Sequence, residues 1–285
     1  MQRLDPTDQV HRVVFCVFGL CILMLGDISH ARGASPGAFG PCEPGFVERW
    51  PSRLPVMLAS TSPPVESANN PVLLEWLGHS SFLLTSPEGL RLLTDPNGYH
   101  PVRVTPDVVT VSNLHATHRD VSFIPASSQV LWGITPNGDW QAIALTFKDV
   151  SLFNVPSHLS RTEPESSPIQ NSMFVFRIGG LCIVHLGNLR HPLTTRQLQR
   201  LGKPDVVMIP ADGQWTLGYD DIVTVITQLQ PHLVIPMHMD FPQHAELLVQ
   251  YTAGRYPVRR IAGSTLPLSR SMLPVGPELV VFTAP

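Results

Sequence analysis

The chain has 285 residues, 43% of them hydrophobic, which is ample for a substantial core and for one large domain or two modest ones. A formal net charge of -3 with 19 Lys and Arg gives no basic stripe to neutralise a phosphate backbone, so nucleic acid is excluded as the expected partner. The 29 prolines crowd the first part of the chain and its short connections, favouring loops and a stiff leader over long helices.

The chain opens with MQRLDPTDQVHRVVFCVFGLCILMLGDISHARG, in which Arg3 and Arg12 precede an apolar run at 13–26 that is short for a bilayer span. Residues 1–31 read as a signal peptide, cut after Ala31, which leaves no stable membrane span and an exported protein, periplasmic or secreted. An uncleaved anchor is the alternative, because Asp5 and Asp8 dilute the positive segment. Cys21 lacks the small neighbours of a lipoprotein signal. Residues 32–70, rich in Pro, Gly, Ser and Asn, read as an extended linker to a domain over 71–285. Cleavage would leave Cys42 and Cys182, which either form a disulfide or leave Cys182 as a small core residue. No CxxC or Cys/His finger spacing supports a thiolate zinc site.

From Val72, the runs VLLEW, SSFLLTS and LRLLTDP predict short strands, the last two joined across SPEG as a hairpin. VVTVS, QVLWGI, WQAIALTF and VSLFNVPSH follow, separated by turn residues, and read as a β-meander. SMFVFRI and LCIVHLGN flank Gly179-Gly180 as a second hairpin, and TTRQLQRLG predicts a short helix capped by Gly202. DVVMIPADG and HLVIPMH are strands on either side of YDDIVTVITQLQ, whose Ile222, Val225, Ile226 and Leu229 share one helical face. PQHAELLVQYTAG predicts a helix ending at Gly254, and ELVVFTA a final strand. Two stacked sheets with helices outside suit this order better than a doubly wound parallel sheet.

Several strands deliver an imidazole or carboxamide at the carboxyl end. His115 and His118 follow VVTVS, His158 ends VSLFNVPSH, Asn188 follows LCIVHLG, and His238 follows LVIPM. Ligands gather beyond such ends because rigid strands hold the converging loops. Neutral imidazole is the usual nitrogen ligand of zinc, and a metal so held activates water for hydrolysis.

WLGHSSFLL, LLTDP, PDVVTVSNLHATH, VHLGN, DVVMIPADG and LVIPMHMDF occur in the order and spacing of the metallo-β-lactamase superfamily. Over about residues 72–250 the chain resembles its ascorbate-6-phosphate-lactonase-like branch. The resemblance implies an α+β fold, a single-domain αββα four-layer sandwich with a metal site at one edge. It also implies His115 and His158 as ligands of a first metal and His118 and His238 as ligands of a second. The pattern His-x-His-x-Asp-His is altered here to Asn113-x-His115-x-Thr117-His118, and the bridging aspartate is Asn188. Two dications about 4 Å apart repel by roughly 17 kcal/mol at an effective dielectric near 20. Thr117 and Asn188 carry no charge to offset this, so one divalent ion, zinc by ligand type, is expected, with Asp212 or Asp120 as a replacement carboxylate.

Asp95 reads as orienting a histidine from behind, or as a surface-turn residue in DPNG. Asn113 and Thr117 are placed with Asp95 beside the ligands. His79, Arg190 and His191 are candidate substrate contacts, with a structural hydrogen bond as the alternative for His79 and exposed loop charge for Arg190. Asp212 is the candidate general base, with Asn188 beside it. The expected function is an exported metal-dependent hydrolase whose metal-activated water attacks a small-molecule ester, lactone, amide or phosphodiester. The alternative is a catalytically degenerate scaffold that binds a ligand or partner. The sequence leaves the oligomeric state open.

Overall fold

The computed structural model describes residues 70–285 apart from 100–101, 161, 163–166 and 240–241. The leader, the linker and Cys42 lie outside the described residues. The sandwich is built from alternation. In β1 (Val72–Trp76), Val72, Leu74 and Trp76 are buried while Leu73 is 42% exposed. β1 pairs antiparallel with β2 (Phe82–Thr85), which hairpins into β3 (Arg91–Thr94).

β4 (Val108–Val111) and β5 (Gln129–Trp132) then add in parallel. With β13 (Thr265–Leu268) on the far side of β1, the first sheet has the order β13-β1-β2-β3-β4-β5. Phe82, Leu84, Leu92 and Val108 face the main core. The alternate residues Leu83, Leu93 and Val109 form a second cluster on the opposite face.

β6 (Ala144–Phe147), β7 (Val150–His158), β8 (Ile169–Ile178) and β9 (Leu181–His185) are successive antiparallel neighbours in the second sheet. β10 (Val206–Pro210), β11 (Leu233–Met237), β12 (Val258–Ile261) and β14 (Glu278–Phe282) continue it in parallel, giving β12-β14-β11-β10-β9-β8-β7-β6. The expected meander is therefore divided. β4 and β5 are parallel members of one sheet and β6 begins the other, because composition marks a strand but not its partner or direction.

The α+β sandwich is the expected one, with helices confined to three short pieces among the described residues. α1 (Thr195–Leu201) begins with a Thr194–Gln197 capping box. α2 (Tyr219–Leu229) buries Ile222, Val225, Ile226 and Leu229 as their spacing predicts. α3 spans Pro242–Tyr251. The outer cluster of the first sheet is covered by Val102, Val104 and Ile124 from connecting segments, in a stretch where Pro96, Pro106 and Pro125 oppose a long helix. No helix among the described residues is long and apolar enough to cross a membrane. Cys182 is fully buried on β9 and disulfide-bonded, and Cys42, its expected partner, lies outside the described residues.

Candidate metal centre

β1 ends in a tight turn in which Gly78 (φ 84°) and His79 (φ 49°) are both left-handed. The His79 carbonyl accepts from Trp76 Nε1 at 3.2 Å and from the His238 backbone N–H at 3.2 Å, tying this turn to the end of β11. Two strands away, β3 runs into Asp95, also left-handed at φ 38°. Because β4 lies parallel beside β3, Asp95 reaches the end of β4. Its Oδ1 accepts from Ser112 N at 2.7 Å, and its Oδ2 accepts from Ser112 Oγ at 2.5 Å and lies 2.6 Å from His118 Nδ1.

The same arrangement recurs across the sandwich. His238 follows β11 with φ 62°, and its Nδ1 lies 3.4 Å from Asp212 Oδ2 at the end of β10. Asp212 is itself held. Its Oδ1 accepts the backbone N–H groups of Gln214, Trp215 and Thr216 at 2.8, 2.6 and 3.1 Å, and its Oδ2 accepts Thr216 Oγ1 at 2.7 Å.

His79, His118 and His238 thus converge, each placing one ring nitrogen within 4.8 Å of the others'. Their ring centroids are 4.2 Å (79 to 238), 4.9 Å (118 to 238) and 5.3 Å (79 to 118) apart. All three are buried. His238 Nε2 is buried with no hydrogen-bond partner, a state whose desolvation a bound cation would offset. With Nδ1 of His118 and His238 turned toward carboxylates, Nε2 is the nitrogen left to face a metal, the usual bracing of an imidazole ligand. The three side chains fit a divalent ion.

The electrostatics keep the donors in the right form. Burial pushes the His238 imidazole down to about 3, and its neighbours His118 and His79 press the same way against Asp212. Burial alone would raise Asp212, but the hydrogen bonds from His238, Gln214 and Thr216 outweigh it and hold the carboxyl below its ordinary range. Burial pushes Asp95 upward, opposed by His185 and Ser112. His185 is buried with Nε2 at 2.9 Å from Ser80 O and Nδ1 at 3.9 Å from Asp95, and burial lowers it too.

The other candidates fall elsewhere. His115 is exposed: as N-cap of the 3₁₀ turn Ala116–His118, its Nδ1 lies 2.8 Å from Thr117 Oγ1, which turns its ring outward, 6.2 Å from that of His118. Asn113 is structural, donating to Ser112 Oγ and accepting from His115 N, both at 2.9 Å. Asp120 braces its own loop, accepting from Ser122 Oγ at 2.6 Å.

His158 lies at a register shift between β7 and β8, its Nδ1 buried without a hydrogen-bond partner, and is outside the three-histidine group. His191 is near it: burial lowers the His191 imidazole, and Nδ1 sits 2.7 Å from Pro192 O. Asn188 is buried, and its backbone N–H donates to Asn171 Oδ1 at 2.8 Å. Arg190, in the same loop, is half-buried. His79 therefore enters as a third candidate ligand where the sequence suggested a substrate contact. The signal for it was the GH pair at a strand end, where only a left-handed turn lets the ring double back.

Comparison with known proteins agrees with this architecture. Residues 73–238, more than half of the chain, match the model of the β-lactamase superfamily domain. A metal-dependent hydrolase of the UPF0173 group from Methanosarcina mazei is 24% identical over 193 residues, covering 58% of this chain and 82% of the relative. One from Methanosphaera stadtmanae is 28% identical over 225 residues, covering 68% and 95%. A Thermotoga maritima structure, assigned as a Zn-dependent hydrolase, superposes with a TM-score of 0.57 and 25% identity over 75% of this chain and 100% of that one. On the family match, the shared fold and the order of its motifs, this chain belongs to the metallo-β-lactamase superfamily.

Proposed function

We propose that this chain is a metal-dependent hydrolase of small molecules, holding one divalent ion, zinc by ligand type, on His79, His118 and His238. The observation that carries this is the convergence of three buried imidazoles, two of them braced by a carboxylate. When bound there, the metal would polarise a carbonyl or phosphoryl oxygen and lower the pKa of its coordinated water to about 7. The chain's own residues do the rest. Asp95 fixes the tautomer of His118 and Asp212 that of His238, so each ring offers its Nε2 lone pair.

Asp212, its oxygens occupied by four protein donors besides His238, acts in this scheme as a positioning residue rather than the general base. Asn188 and His158, each with a buried atom lacking a hydrogen-bond partner, are the polar groups available to orient substrate in place of a second ion. Bond classes in reach are ester, lactone, amide and phosphodiester. Export rests on the leader read at residues 1–31, and N-terminal sequencing of the secreted product tests it.

Metal analysis of untagged protein tests the centre: about one equivalent, lost in His238→Ala, supports it. Two tightly held equivalents would overturn the single-ion reading. Turnover of chromogenic esters and phosphodiesters that stops on chelation supports the hydrolase. A folded, metal-free protein without turnover would favour the degenerate binding module, a reading motivated by Asn113, Thr117 and Asn188 standing where the family pattern has ligands.

A further inference from the structure

A cavity of about 740 Å³ opens beside His79 and is walled by Trp76, Phe282, Met239, Ala245, Glu246 and Arg260, with Tyr99 on its lining. That volume falls within the range of about 300–1,000 Å³ typical of small-molecule pockets. Most of the wall is carbon: the Trp76 and Phe282 rings stack at 6.1 Å and 19°, and Met239 packs against the core. The two charged side chains in the lining are spent on each other. Arg260 Nη1 and Nη2 donate to the two oxygens of Glu246 at 2.8 and 2.9 Å, a bidentate pair with no net charge.

An anionic ligand entering here would meet Glu246, and a cationic one Arg260, each already neutralised at close range. An uncharged, carbon-rich group gives up least by leaving water. Resting on the hydrolase reading for its chemistry, we propose that this cavity is the acyl pocket, and that the substrates are esters, lactones or amides with an uncharged, carbon-rich acyl group rather than phosphorylated compounds. His79 joins the two regions, since it both lines the cavity and belongs to the three-histidine group.

Burial of one methylene multiplies affinity roughly fourfold (about 0.8 kcal/mol). Two measurements separate the pocket from the chemistry. The first is binding of 1-octanol, octanoate and octylammonium to the chelated full-length protein, followed by NMR shifts and intrinsic fluorescence, with no turnover needed. The neutral probe should bind at least about tenfold tighter than either ion. Ala245→Trp, which fills the cavity, should abolish this binding. Glu246→Gln, at an exposed position where folding is not at stake, leaves Arg260 unpaired and should strengthen octanoate about tenfold. Equal binding of the three probes, or octanoate unmoved by Glu246→Gln, overturns the pocket.

The second measurement is kcat/KM for p-nitrophenyl acetate, butyrate and hexanoate against bis-p-nitrophenyl phosphate. It should rise severalfold per added methylene and be lowest for the phosphodiester. Selective probe binding without turnover of any ester sinks the hydrolase reading and leaves the pocket standing. Chelator-sensitive turnover with no chain-length dependence does the reverse.

Discussion

Replacing Asp95 by Asn changes one atom of a buried carboxylate, yet it is expected to weaken metal binding 10- to 100-fold, about 1.4–2.7 kcal/mol. One oxygen of Asp95 takes Ser112 Oγ at 2.5 Å and His118 Nδ1 at 2.6 Å, and the other takes Ser112 N at 2.7 Å. An amide can be set in two ways, and both fail. With its nitrogen toward His118, two donors face each other unless His118 moves its proton to Nε2, which blocks the lone pair that would bind metal. With its nitrogen toward Ser112, it meets a backbone N–H that has no alternative acceptor, and an unsatisfied buried group costs about 1–3 kcal/mol. The assay is zinc titration against a chromophoric chelator, paired with urea unfolding of the metal-free protein. A dissociation constant within about twofold of wild type, in a variant as well folded as wild type, would refute the claim that Asp95 sets the His118 tautomer.

His79→Ala and His238→Ala should each remove stoichiometric metal and turnover while the circular dichroism spectrum persists; retained metal in either would exclude that residue as a ligand. Gly187 has φ 59°, and a Cβ there would run into Asn171 Oδ1 and the Ser112 side chain. Asn171 is fully buried and hydrogen-bonded to Ser157 Oγ at 2.7 Å, so it has no room to yield. Gly187→Ala should therefore cost about 1–3 kcal/mol in urea unfolding. Finally, His185, His191 and His238 are all lowered by burial, so below about pH 6.5 the unfolded chain takes up protons that the folded chain refuses. For His238, held near 3 in the folded chain, stability of the metal-free protein should fall by up to about 1.4 kcal/mol per pH unit as pH drops from about 6.5 toward 5, with His185 and His191 adding in the same direction. Asp95, shifted the other way, works against this slope, and a flat urea midpoint between pH 7 and 5 would contradict it.

The sandwich was legible where periodicity is unambiguous. The 222, 225, 226 and 229 face of α2 is buried in full, and the runs of β2, β3, β4, β10 and β11 are strands. β12 and β13 escaped because VRRI and TLPL are short, and Arg259, Arg260 and Pro267 mask them as loop; they are stable as strands because β14 and β1 supply the pairing.

Local sequence shows that imidazoles accumulate at strand ends, but not which way each ring turns. His115 and His118 are three residues apart, yet the 3₁₀ turn between them sends one to solvent and buries the other completely. His79 was hardest to see. Its place depends on the turn after β1 meeting the end of β11, a contact between residues more than 150 positions apart that only the closed sandwich creates.

His79, Asp95 and His238 are three of the five non-glycine residues with positive φ among those described. Each such backbone costs on the order of 1–3 kcal/mol, which the surrounding hydrogen bonds and packing must outweigh. Strain and chemistry therefore sit at the same three codons. A lineage relieved of the need for turnover would be free to relax at His79 and His238, whereas Asp95 would be kept, because a glycine there forfeits the buried hydrogen bonds to Ser112 and His118.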